Sequence, residues 1–497
     1  MEAEFLYVLS LITLILAGFM AIRNGKRSKS KSIDVHLPPG PRKLPIIGNM
    51  HLLAGHLPHR RLADLAKKHG PLMHLQLGEV CTVVVSSPEA AKEVMKTHDS
   101  VLADRPFLLA PSIISYNLKD IAFATYGEYW KQLRKICNLE LLSPTRVQSF
   151  RSIRGEEMSN LVDYISSNSR SSVNLTRIIS STTSNIVSRA AFGSKCNDIE
   201  KFISCVQKAV VLTGGFSPAD VFPSYKWIHS LGGIKRKIET VHEMIDEILE
   251  QIIDEHKKCN VDEDLVDVLL KFQGGQDFSL ENDDIKAVLL DIFSAGSETS
   301  STTVEWAMTE MLRSPRVMKR AQAEVRQVFN GHGKVDESKL SELKYLKLIV
   351  KETLRLHPPA PLLLPRECRQ KCEIFGYTIP EKARVIVNAW AIGRDPNHWD
   401  DPDTFFPERF LDSPIDYKGG NFEFIPFGAG RRMCPGISFG IVNVELPLAN
   451  LLFHFDWKSP DNTRLEDQDM SEVFGAAVRR KTDLWLIPVL YHPHSAV

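Results

Sequence analysis

The sequence predicts a mainly α-helical protein with a minor β portion, in which one large catalytic body follows an N-terminal membrane anchor. An apolar run near the N-terminus, helical periodicity through most of the remainder, and few short strand-like runs support this prediction. The chain has 497 residues, with 61 Lys+Arg against 61 Asp+Glu. This balance argues against a nucleic-acid binder, which is usually basic, and against an acidic disordered chain.

The N-terminal run, residues 5–22, contains 18 residues and no charge. At about 1.5 Å per residue, such a helix nearly spans a hydrocarbon core of about 30 Å. A cleaved signal peptide is the alternative, but it carries its positive charge before the apolar stretch. Here the positive charge follows the run, which predicts a retained anchor over residues 1–32 and a cytosolic body. The basic residues are Arg23, Lys26, Arg27, Lys29 and Lys31. The sequon at Asn174 is therefore expected to remain unglycosylated.

Residues 33–49 form a proline-rich hinge. Four prolines between residues 37 and 49 stiffen the chain and cannot sit inside a helix. Length alone favours about three domains. We see no repeat and no second linker after residue 50, so residues 50–497 are predicted to form one catalytic domain.

Apolar periodicity predicts the secondary structure of this domain. Helices are predicted over residues 60–69, 88–98, 127–142, 235–258, 280–312, 315–329 and 341–356, and from 437 to about 454. Strands are predicted over residues 71–77, 81–86, 373–379, 384–389 and 484–490. Ser279 is predicted to cap the helix of about 33 residues that ends at Ser314-Pro315. A helix so long and apolar is expected to cross the middle of the domain.

The eight cysteines show neither a disulfide framework nor a zinc-binding spacing. One of them, Cys434, lies among three glycines in a loop that precedes an apolar helix. Glycine lets backbone N–H groups approach the sulfur, and a helix N-terminus adds positive potential. Both effects are expected to lower the thiol pKa and favour the thiolate. A buried inert cysteine is the alternative.

This loop resembles the haem-binding loop of the cytochrome P-450 superfamily, with Phe427, Gly430, Arg432, Cys434 and Gly436 at the family positions. The resemblance implies the P-450 fold, with a large helical domain and a small β-rich portion. It also implies a b-type haem with Cys434 as the axial thiolate ligand of the iron, and Phe427 and Arg432 as cofactor-binding residues. A thiolate ligand favours O–O cleavage.

Further motifs fit the same family in order. Glu352-Thr-Leu-Arg355 and the Arg409 of Pro-Glu-Arg-Phe are implied to form a buried charged network with a structural role. Such a network is tolerated only when it is fully paired. The resemblance also makes Trp130, Arg134 and Arg366 partners of the haem propionates, with Arg432. The alternative from spacing alone is a core Trp130 with a surface Arg134.

The long central helix carries Ala295-Gly296-Ser297-Glu298-Thr299, which fits the family's acid–alcohol pattern. The alternative is a solvated Glu298 and a Thr299 bonded back to its own helix. The resemblance implies that Ala295 and Gly296 leave a groove for dioxygen. It assigns catalytic roles to Thr299, which would hydrogen-bond the distal oxygen, and to Glu298, which would help relay protons.

In their exact residues, the motifs most resemble those of plant microsomal enzymes of the A-type group, near the limonene and premnaspirodiene hydroxylases. By analogy, the substrate-facing stretches are 101–116, 289–295, 360–364 and 473–478. They lean apolar, which favours a sesqui- or diterpenoid substrate over an alkaloid or a flavonoid. A haem-thiolate isomerase or dehydratase is a rival hypothesis, and so is a non-catalytic membrane haem protein.

The chain carries no GxGxxG and no flavin-binding region, so we expect neither a bound nicotinamide nor a bound flavin. Electrons are expected from NADPH-cytochrome P-450 reductase, with cytochrome b5 as a second candidate donor. A small apolar substrate and membrane lipid are also expected partners, at the endoplasmic reticulum and with a single membrane pass.

Overall fold

The structure is a computed structural model that describes residues 36–193, 199–213, 217–225, 233–258, 264–276, 278–331, 333–460, 464–475 and 477–491. The predicted anchor at residues 5–22 and its basic flank lie outside the described residues. The hinge is described from residue 36 onward. Helices and short sheets occupy separate parts of the fold, as the sequence predicts.

The described helices are numbered in chain order. They are α1 (Pro58–His69), α2 (Pro88–Lys92), α3 (Asp99–Leu102), α4 (Leu109–Ile114), α5 (Glu128–Ile136), α6 (Pro144–Ser149), α7 (Arg151–Ser167), α8 (Leu175–Phe192), α9 (Ile199–Thr213), α10 (Pro218–Val221), α11 (Ile234–Lys258), α12 (Leu265–Leu270), α13 (Asn282–Arg313), α14 (Pro315–Phe329), α15 (Lys344–Leu356), α16 (Ala389–Ile392) and α17 (Ile437–His454). Single π-helical turns at Glu93–Thr97 and Cys137–Leu141 continue α2 and α5. Short 3₁₀ turns lie at Met50–Leu52, Glu337–Glu342, Pro407–Phe410, Gly430–Arg432 and Leu465–Asp467.

The strands are β1 (Leu72–Leu77), β2 (Val80–Val85), β3 (Val173–Asn174), β4 (Arg366–Glu367), β5 (Cys372–Ile374), β6 (Tyr377–Ile379), β7 (Arg384–Val387), β8 (Phe455–Lys458), β9 (Glu472–Val473), β10 (Arg479–Arg480) and β11 (Trp485–Leu490). The largest described sheet has the order β1-β2-β7-β4. Its β2 and β7 run parallel, with Thr82 opposite Arg384, and its other pairs are antiparallel. Three smaller sheets have the orders β3-β11-β8, β5-β6 and β10-β9.

The central helix α13 is 32 residues long, close to its predicted length. Its start differs from the prediction, because Glu281 is the N-cap and forms a reciprocal capping box with Asp284. The prediction that Ser279 caps this helix is therefore wrong; its hydroxyl accepts a hydrogen bond from the Gly274 N–H at 2.9 Å. The helix ends at Ser314, before Pro315, as predicted.

The predicted helices are all present, with small shifts at their ends. The predicted strand at 373–379 is instead a hairpin, because Phe375 and Gly376 turn with positive φ angles of 52° and 77°. Helices α7, α8 and α9 were not among the predicted segments. They build much of the helical side of the protein.

The largest apolar cluster surrounds α13. Its buried residues come from α5, α7–α9, α11–α15 and α17, and it includes Phe293, Trp399 and Phe439. A second cluster joins one face of the main sheet to Phe422, Ile425 and Ala429, and a third packs α1 on that sheet. The segment that precedes Cys434 therefore lies between the sheet and the helical core.

Within the described residues, α17 is the one helix that is apolar and long enough to cross a membrane. Inside the fold 67% of its residues are buried, and these include the polar residues Asn443 and Glu445. These properties are those of a core helix. The helix begins two residues after Pro435 and directly follows the loop that holds Cys434.

Candidate active site around Cys434

The loop at residues 427–436, called the Cys434 loop below, has a conformation that its glycines permit. Gly428 and Gly430 both have φ angles of 70°. A Cβ atom on Gly430 would lie 2.1 Å from the carbonyl oxygen of Met95, so no larger residue fits there. The Cys434 N–H donates to the carbonyl of Phe427 at 3.0 Å, which closes the loop.

The Cys434 thiol is held at the start of α17. Its sulfur accepts a hydrogen bond from the Gly436 N–H, and the Arg134 guanidinium lies close by. Burial nevertheless raises the pKa of Cys434, and it outweighs the lowering by Gly436 and Arg134. The Gly436 N–H thus acts in the direction that the sequence argument expects, but the expected net lowering of the Cys434 pKa is wrong for the protein groups alone, because burial outweighs it. A bound metal cation is what deprotonates such a thiol outright.

Four arginine side chains converge beside the Cys434 loop: Arg105, Arg134, Arg366 and Arg432. Burial lowers the pKa of Arg432 to about 10, and repulsion from Arg366 and Arg134 adds to the effect. Burial, and then repulsion from Arg432 and Arg366, lowers the pKa of Arg105. This site therefore concentrates cations that repel one another, which suits a ligand with carboxylates.

Backbone carbonyls fix most of these guanidinium groups. Arg432 donates to the carbonyls of Ala103 at 2.7 Å and Ala124 at 2.6 Å. Arg105 donates to Ala122 at 2.7 Å and to Pro365 at 2.7 Å. Each arginine thus ties the Cys434 loop or residues 364–365 to the segment between α3 and α5.

The two residues predicted on α5 have different partners. The Trp130 indole N–H donates to the carbonyl of Ile121 at 3.0 Å, and the Arg432 guanidinium lies 4.2 Å above its ring. Arg134 donates to the carbonyl of Met433, next to Cys434. Trp130 is therefore a buried platform for Arg432, while Arg134 contacts the Cys434 loop directly.

Arg366 pairs with an acid of the fold. Its guanidinium lies 2.9 Å from Asp99 Oδ1 and donates to the Ala429 carbonyl at 3.1 Å. Asp99 also accepts from the Arg431 N–H at 2.8 Å. The arginine that the sequence assigned to a propionate thus already links α3 to the Cys434 loop.

Arg105 was not among the residues predicted from the sequence. Only 6% of its surface is exposed, although it lies in a stretch predicted to face the substrate. The available signal was a charged pair, Asp104-Arg105, inside an otherwise apolar run. A buried carboxyl pair, Asp120 and Asp291, was also missed; burial raises the pKa of both, that of Asp120 to about 6.

The chemistry of this site fits a thiolate-bound haem with two carboxylates. The Cys434 sulfur lies at the start of α17 beside Arg134, and the buried or half-buried guanidinium groups of Arg105, Arg366 and Arg432 cluster next to the Cys434 loop. The acids close to them are Asp99, Asp104 and Asp120, and protonation of Asp120 is favoured by its burial. Two propionates would supply the missing negative charge.

On α13, Ala295 is exposed, whereas Gly296 is packed. A Cβ atom on Gly296 would lie 3.3 Å from Val187 and 3.5 Å from Phe439, so this glycine allows α8 and α17 to approach α13. The expectation that Gly296 opens a groove is wrong, and Ala295 alone presents a small open surface. Asp291, one turn before it, accepts from the Ile121 and Ala122 N–H groups, which places this face beside the arginine cluster.

The two residues of the acid–alcohol pair, Glu298 and Thr299, have different surroundings. The Thr299 hydroxyl donates to the Ala295 carbonyl at 2.6 Å, which is the bond within the helix that the sequence also allowed. Burial raises the pKa of Glu298, although Arg479 opposes the shift. Glu298 lines a cavity of about 10 Å³ between α8, α9 and α13, together with Ser180, Ser184, Gln207 and Ser294. That volume is close to what one water molecule needs.

The charged network predicted at Glu352 is present. Arg355 binds both carboxylate oxygens of Glu352 at 2.8 Å, and Arg409 lies 2.9 Å from one of them. Glu352 and Arg355 are 0% and 1% exposed. The remaining Arg355 donors bind the carbonyls of Gly393 and Pro402, so the buried charges are fully paired.

Two of the predicted substrate-facing stretches, 101–116 and 360–364, meet beside the Cys434 loop. A Cβ atom on Gly428 would lie 3.8 Å from Leu363, and Arg105 donates to the Leu364 carbonyl. The Val478 N–H donates to the Pro359 carbonyl at 2.8 Å, and Ala476 lies outside the described residues. The apolar side chains of Phe107, Leu364 and Val473 are 58%, 39% and 38% exposed.

The chain is similar to known proteins over almost its whole length. The sequence model described as "Cytochrome P450" matches residues 38–486. The chain is 55% identical to desmethyl-deoxy-podophyllotoxin synthase of Sinopodophyllum hexandrum, over 98% of both chains. It is 52% identical to premnaspirodiene oxygenase of Hyoscyamus muticus, over 97% of this chain and 98% of that one. It is also 52% identical to tabersonine 6,7-epoxidase isoform 1 of Catharanthus roseus, over 97% of both. A solved structure of a zebra fish cytochrome P450 with progesterone superimposes with a TM-score of 0.76 at 26% identity, covering 87% of this chain and 100% of that one.

Proposed function

The chain belongs to the cytochrome P450 family, and from this membership we propose that it is a membrane-tethered haem-thiolate monooxygenase that oxidises an apolar terpenoid. The observation that carries the proposal is the Cys434 sulfur, held in a glycine-rich loop at the start of α17, beside a cluster of four arginines. Cys434 and the arginines would hold an anionic, iron-containing macrocycle, which would supply the oxidation chemistry for a hydrocarbon-rich substrate.

Cys434 is the proposed iron ligand. The proposed propionate partners are Arg105, Arg134, Arg366 and Arg432. The ring of Trp130 packs against the Arg432 guanidinium, with 4.2 Å between the ring centre and Arg432 Cζ. Phe427 contributes through its carbonyl, which accepts from the Cys434 N–H. When bound, the haem supplies the activation of O2 that lets one oxygen atom enter the substrate while the other leaves as water.

Thr299 and Glu298 are the proposed proton-handling residues. The Thr299 hydroxyl is held by Ala295 on the open face of α13, from which it can turn toward a bound ligand. Glu298 lies beside a water-sized cavity that is lined by serines and a glutamine. Because burial raises the pKa of Glu298, this carboxyl keeps its proton to a higher pH than an exposed one does, which suits a proton relay.

An apolar substrate is proposed from exposed apolar side chains in the predicted substrate-facing stretches. Phe107, Leu364 and Val473 leave a large fraction of their surface open, and they come from three separate stretches. The relatives are named for premnaspirodiene, desmethyl-deoxy-podophyllotoxin and tabersonine, so close sequence similarity accompanies different substrates. We favour a sesqui- or diterpenoid, and the same chemistry on an alkaloid or a flavonoid is the alternative.

We propose that the protein is anchored by residues 1–32 in the endoplasmic reticulum membrane, with residues 33–49 as a hinge and residues 50–497 as the cytosolic catalytic domain. Apolar side chains near the hinge support contact with lipid: Leu44, Ile47 and Phe375 are 47%, 38% and 53% exposed. The hairpin of Phe375 contacts the start of the described chain, where the Thr378 N–H donates to the His36 carbonyl at 2.7 Å.

Asn174 supports the cytosolic placement. Its side chain is buried, donates to Asp483 at 2.7 Å and accepts from the Arg177 N–H at 3.0 Å, where it caps α8. A glycan on Nδ2 would need space beside a side chain that is only 9% exposed and already bonded to Asp483. The described fold therefore gives no access to the sequon.

Electrons are proposed to come from NADPH-cytochrome P450 reductase, with cytochrome b5 as a second donor. The side of the protein that carries the Cys434 loop bears exposed cations. Lys131, Arg369 and Arg431 lie 5.7, 5.6 and 5.8 Å from the ring of Tyr126. Each of these cations also has a carboxylate of the fold within 4 Å, so an acidic redox partner would bind here by competing with exposed ion pairs.

The test is expression of the full chain in a microsomal host with a plant reductase, followed by feeding of terpenoid, alkaloid and flavonoid panels and mass spectrometry. We expect an oxygenated terpenoid that requires NADPH and O2. Oxidation of an alkaloid or flavonoid alone would reject the terpenoid assignment, and turnover without NADPH would reject the monooxygenase assignment.

Two variants test the residues. Cys434→Ala should abolish the thiolate signature of the reduced, CO-bound protein, and its persistence would reject the ligand assignment. Thr299→Ala should retain haem but divert electrons to peroxide. Thr303→Ala is the matched control, because Thr303 makes the same bond within the helix, to Thr299 at 2.8 Å, but is buried. Full coupling in Thr299→Ala would remove Thr299 from the mechanism.

A further inference from the structure

Two cysteines lie together in the connection between β4 and β5, away from Cys434 in sequence. Cys372 is the first residue of β5 and pairs with Ile379 of β6. The Cys368 sulfur lies 3.9 Å from the carbonyl oxygen of that same Ile379 and 3.0 Å from the Gln370 carbonyl oxygen. The turn at residues 369–371 thus folds Cys368 back onto Cys372, although four positions separate them in sequence.

The two thiols differ in access and in protonation. Cys368 is fully buried at 0% exposure within the apolar cluster on the main sheet, whereas Cys372 is partly exposed. The Cys368 S–H donates to the Gln370 carbonyl at 3.0 Å, and the interaction between the two neighbouring sulfurs lowers the pKa of Cys372 and raises that of Cys368. The accessible sulfur is therefore the better nucleophile, and the buried one keeps its proton.

We propose that Cys368 and Cys372 are a redox-active dithiol, which a hydroperoxide converts to a disulfide that cellular thiols reduce again. The Cys372 thiolate attacks one peroxide oxygen, the O–O bond breaks, and a sulfenic acid and hydroxide form. The Cys368 sulfur then attacks the Cys372 sulfur and displaces the hydroxyl group. With hydrogen peroxide, two thiols and one peroxide yield one disulfide and two waters.

The position of the pair gives the disulfide a structural effect. Cys368 directly follows β4, whose Arg366 ties Asp99 to the Cys434 loop. The Cys368 backbone is itself held, since its N–H donates to Ala383 at 2.9 Å and its carbonyl accepts from Lys382 at 2.7 Å. A covalent link from this anchored residue to β5 would fix the turn between the Arg366 strand and the hairpin.

The cleavage sites of trypsin make the test direct. Arg366, Arg369, Lys371 and Lys382 place Cys368 in the tripeptide Glu-Cys-Arg and Cys372 in the peptide of residues 372–382. A disulfide would therefore join two peptides that are otherwise separate. The haem-loaded, full-length enzyme should be treated with hydrogen peroxide, alkylated in denaturant, digested and analysed by mass spectrometry, with its CO spectrum recorded before digestion.

We expect the linked peptide in the treated enzyme, and its loss after reduction by glutathione. Cys372→Ser should leave Cys368 fully alkylated after peroxide, because the buried thiol does not react alone. Cys368→Ala should trap Cys372 as a sulfenic acid that dimedone labels, and should slow alkylation of Cys372, which loses the neighbouring sulfur that lowers its pKa. Cys81, partly exposed and with a thiol pKa raised by burial to about 11, is the internal control and should not be oxidised.

Absence of the linked peptide while the CO spectrum stays intact would overturn the proposal. So would a linked peptide that appears only after the CO spectrum is lost, since the disulfide would then belong to the unfolded chain. Equal peroxide sensitivity of Cys372 in the presence and absence of Cys368 would remove the activation by the buried thiol. These outcomes do not depend on the substrate, so they remain distinct from a failure of the proposed function.

Discussion

Replacement of Glu445 by Gln should stabilise the protein above neutral pH and flatten its pH dependence. Glu445 lies on α17 and is 8% exposed. Burial raises its pKa from 4.5 to about 7, although the positive charge of Lys347 lowers it. A carboxyl with a raised folded-state pKa binds its proton more tightly when folded. Its contribution to stability is therefore complete below about pH 4.5 and is lost as the pH rises through about 7.

The difference between the two pKa values sets the size of the effect. At about 1.4 kcal/mol per pKa unit, the wild type should lose about 3 kcal/mol from this group between pH 4.5 and pH 8. Gln cannot ionise, so Glu445→Gln should lie within about 1 kcal/mol of the wild type at pH 5 and exceed it by up to about 3 kcal/mol at pH 8. The group is buried, so solvent screening removes little of this amount.

The assay is denaturant unfolding at intervals from pH 5 to 8.5, followed by tryptophan fluorescence and by the loss of haem absorbance. Glu247→Gln, on the exposed face of α11, is the matched control and should leave the pH profile unchanged. Parallel profiles for the wild type and Glu445→Gln would show that Glu445 does not titrate in this range in the folded protein, and would refute the reasoning.

Three further predictions concern the haem side of the fold. Glu352→Gln should cost about 3 to 5 kcal/mol, measured as a lower denaturant midpoint, because it leaves buried guanidinium groups unpaired, whereas the exposed Glu128→Gln should cost less than about 1 kcal/mol. Gly430→Ala should prevent haem loading, since its Cβ would clash with Met95, while Gly420→Ala meets nothing within 4 Å and should load normally in the CO spectrum. Arg105→Gln should lose haem faster than the wild type when apomyoglobin is added as an acceptor, and equal rates would remove Arg105 from the propionate site.

Local sequence patterns were sufficient to predict most of the helices and strands. The apolar periodicity of α13 and α14 located both helices to within two residues at either end. Proline at the start of α14 and acidic residues in the first turn of α13 indicate where these helices begin. The helices α7 and α8 were not predicted, because polar residues interrupt their apolar stripes. Among these are the serines and threonines of α8, which by themselves favour caps and turns.

The site was predicted less completely, because its chemistry depends on neighbours that are distant in sequence. Arg105 becomes a member of the arginine cluster only through the carbonyls of Leu364 and Pro365, about 260 residues away. The role of Gly296 depends on Val187 and Phe439, and the pKa of Cys434 depends on how much of the protein covers it. A motif identifies such residues, but only packing determines which atoms they meet.

The parallel pairing of β2 with β7 has a consequence for the order in which the protein can fold. Thr82 and its partner Arg384 lie far apart in the chain, and β2 has only β1 beside it until β7 has been made. At about 5 to 20 residues per second, the ribosome needs roughly 15 to 60 s to synthesise the intervening stretch. Throughout that interval an edge of Val83, Val84 and Val85 is unpaired and apolar, and such edges recruit other strands. The nascent chain is therefore most vulnerable to aggregation before the Cys434 loop exists, and slower synthesis of the middle third would lengthen the period for which a chaperone must cover β2.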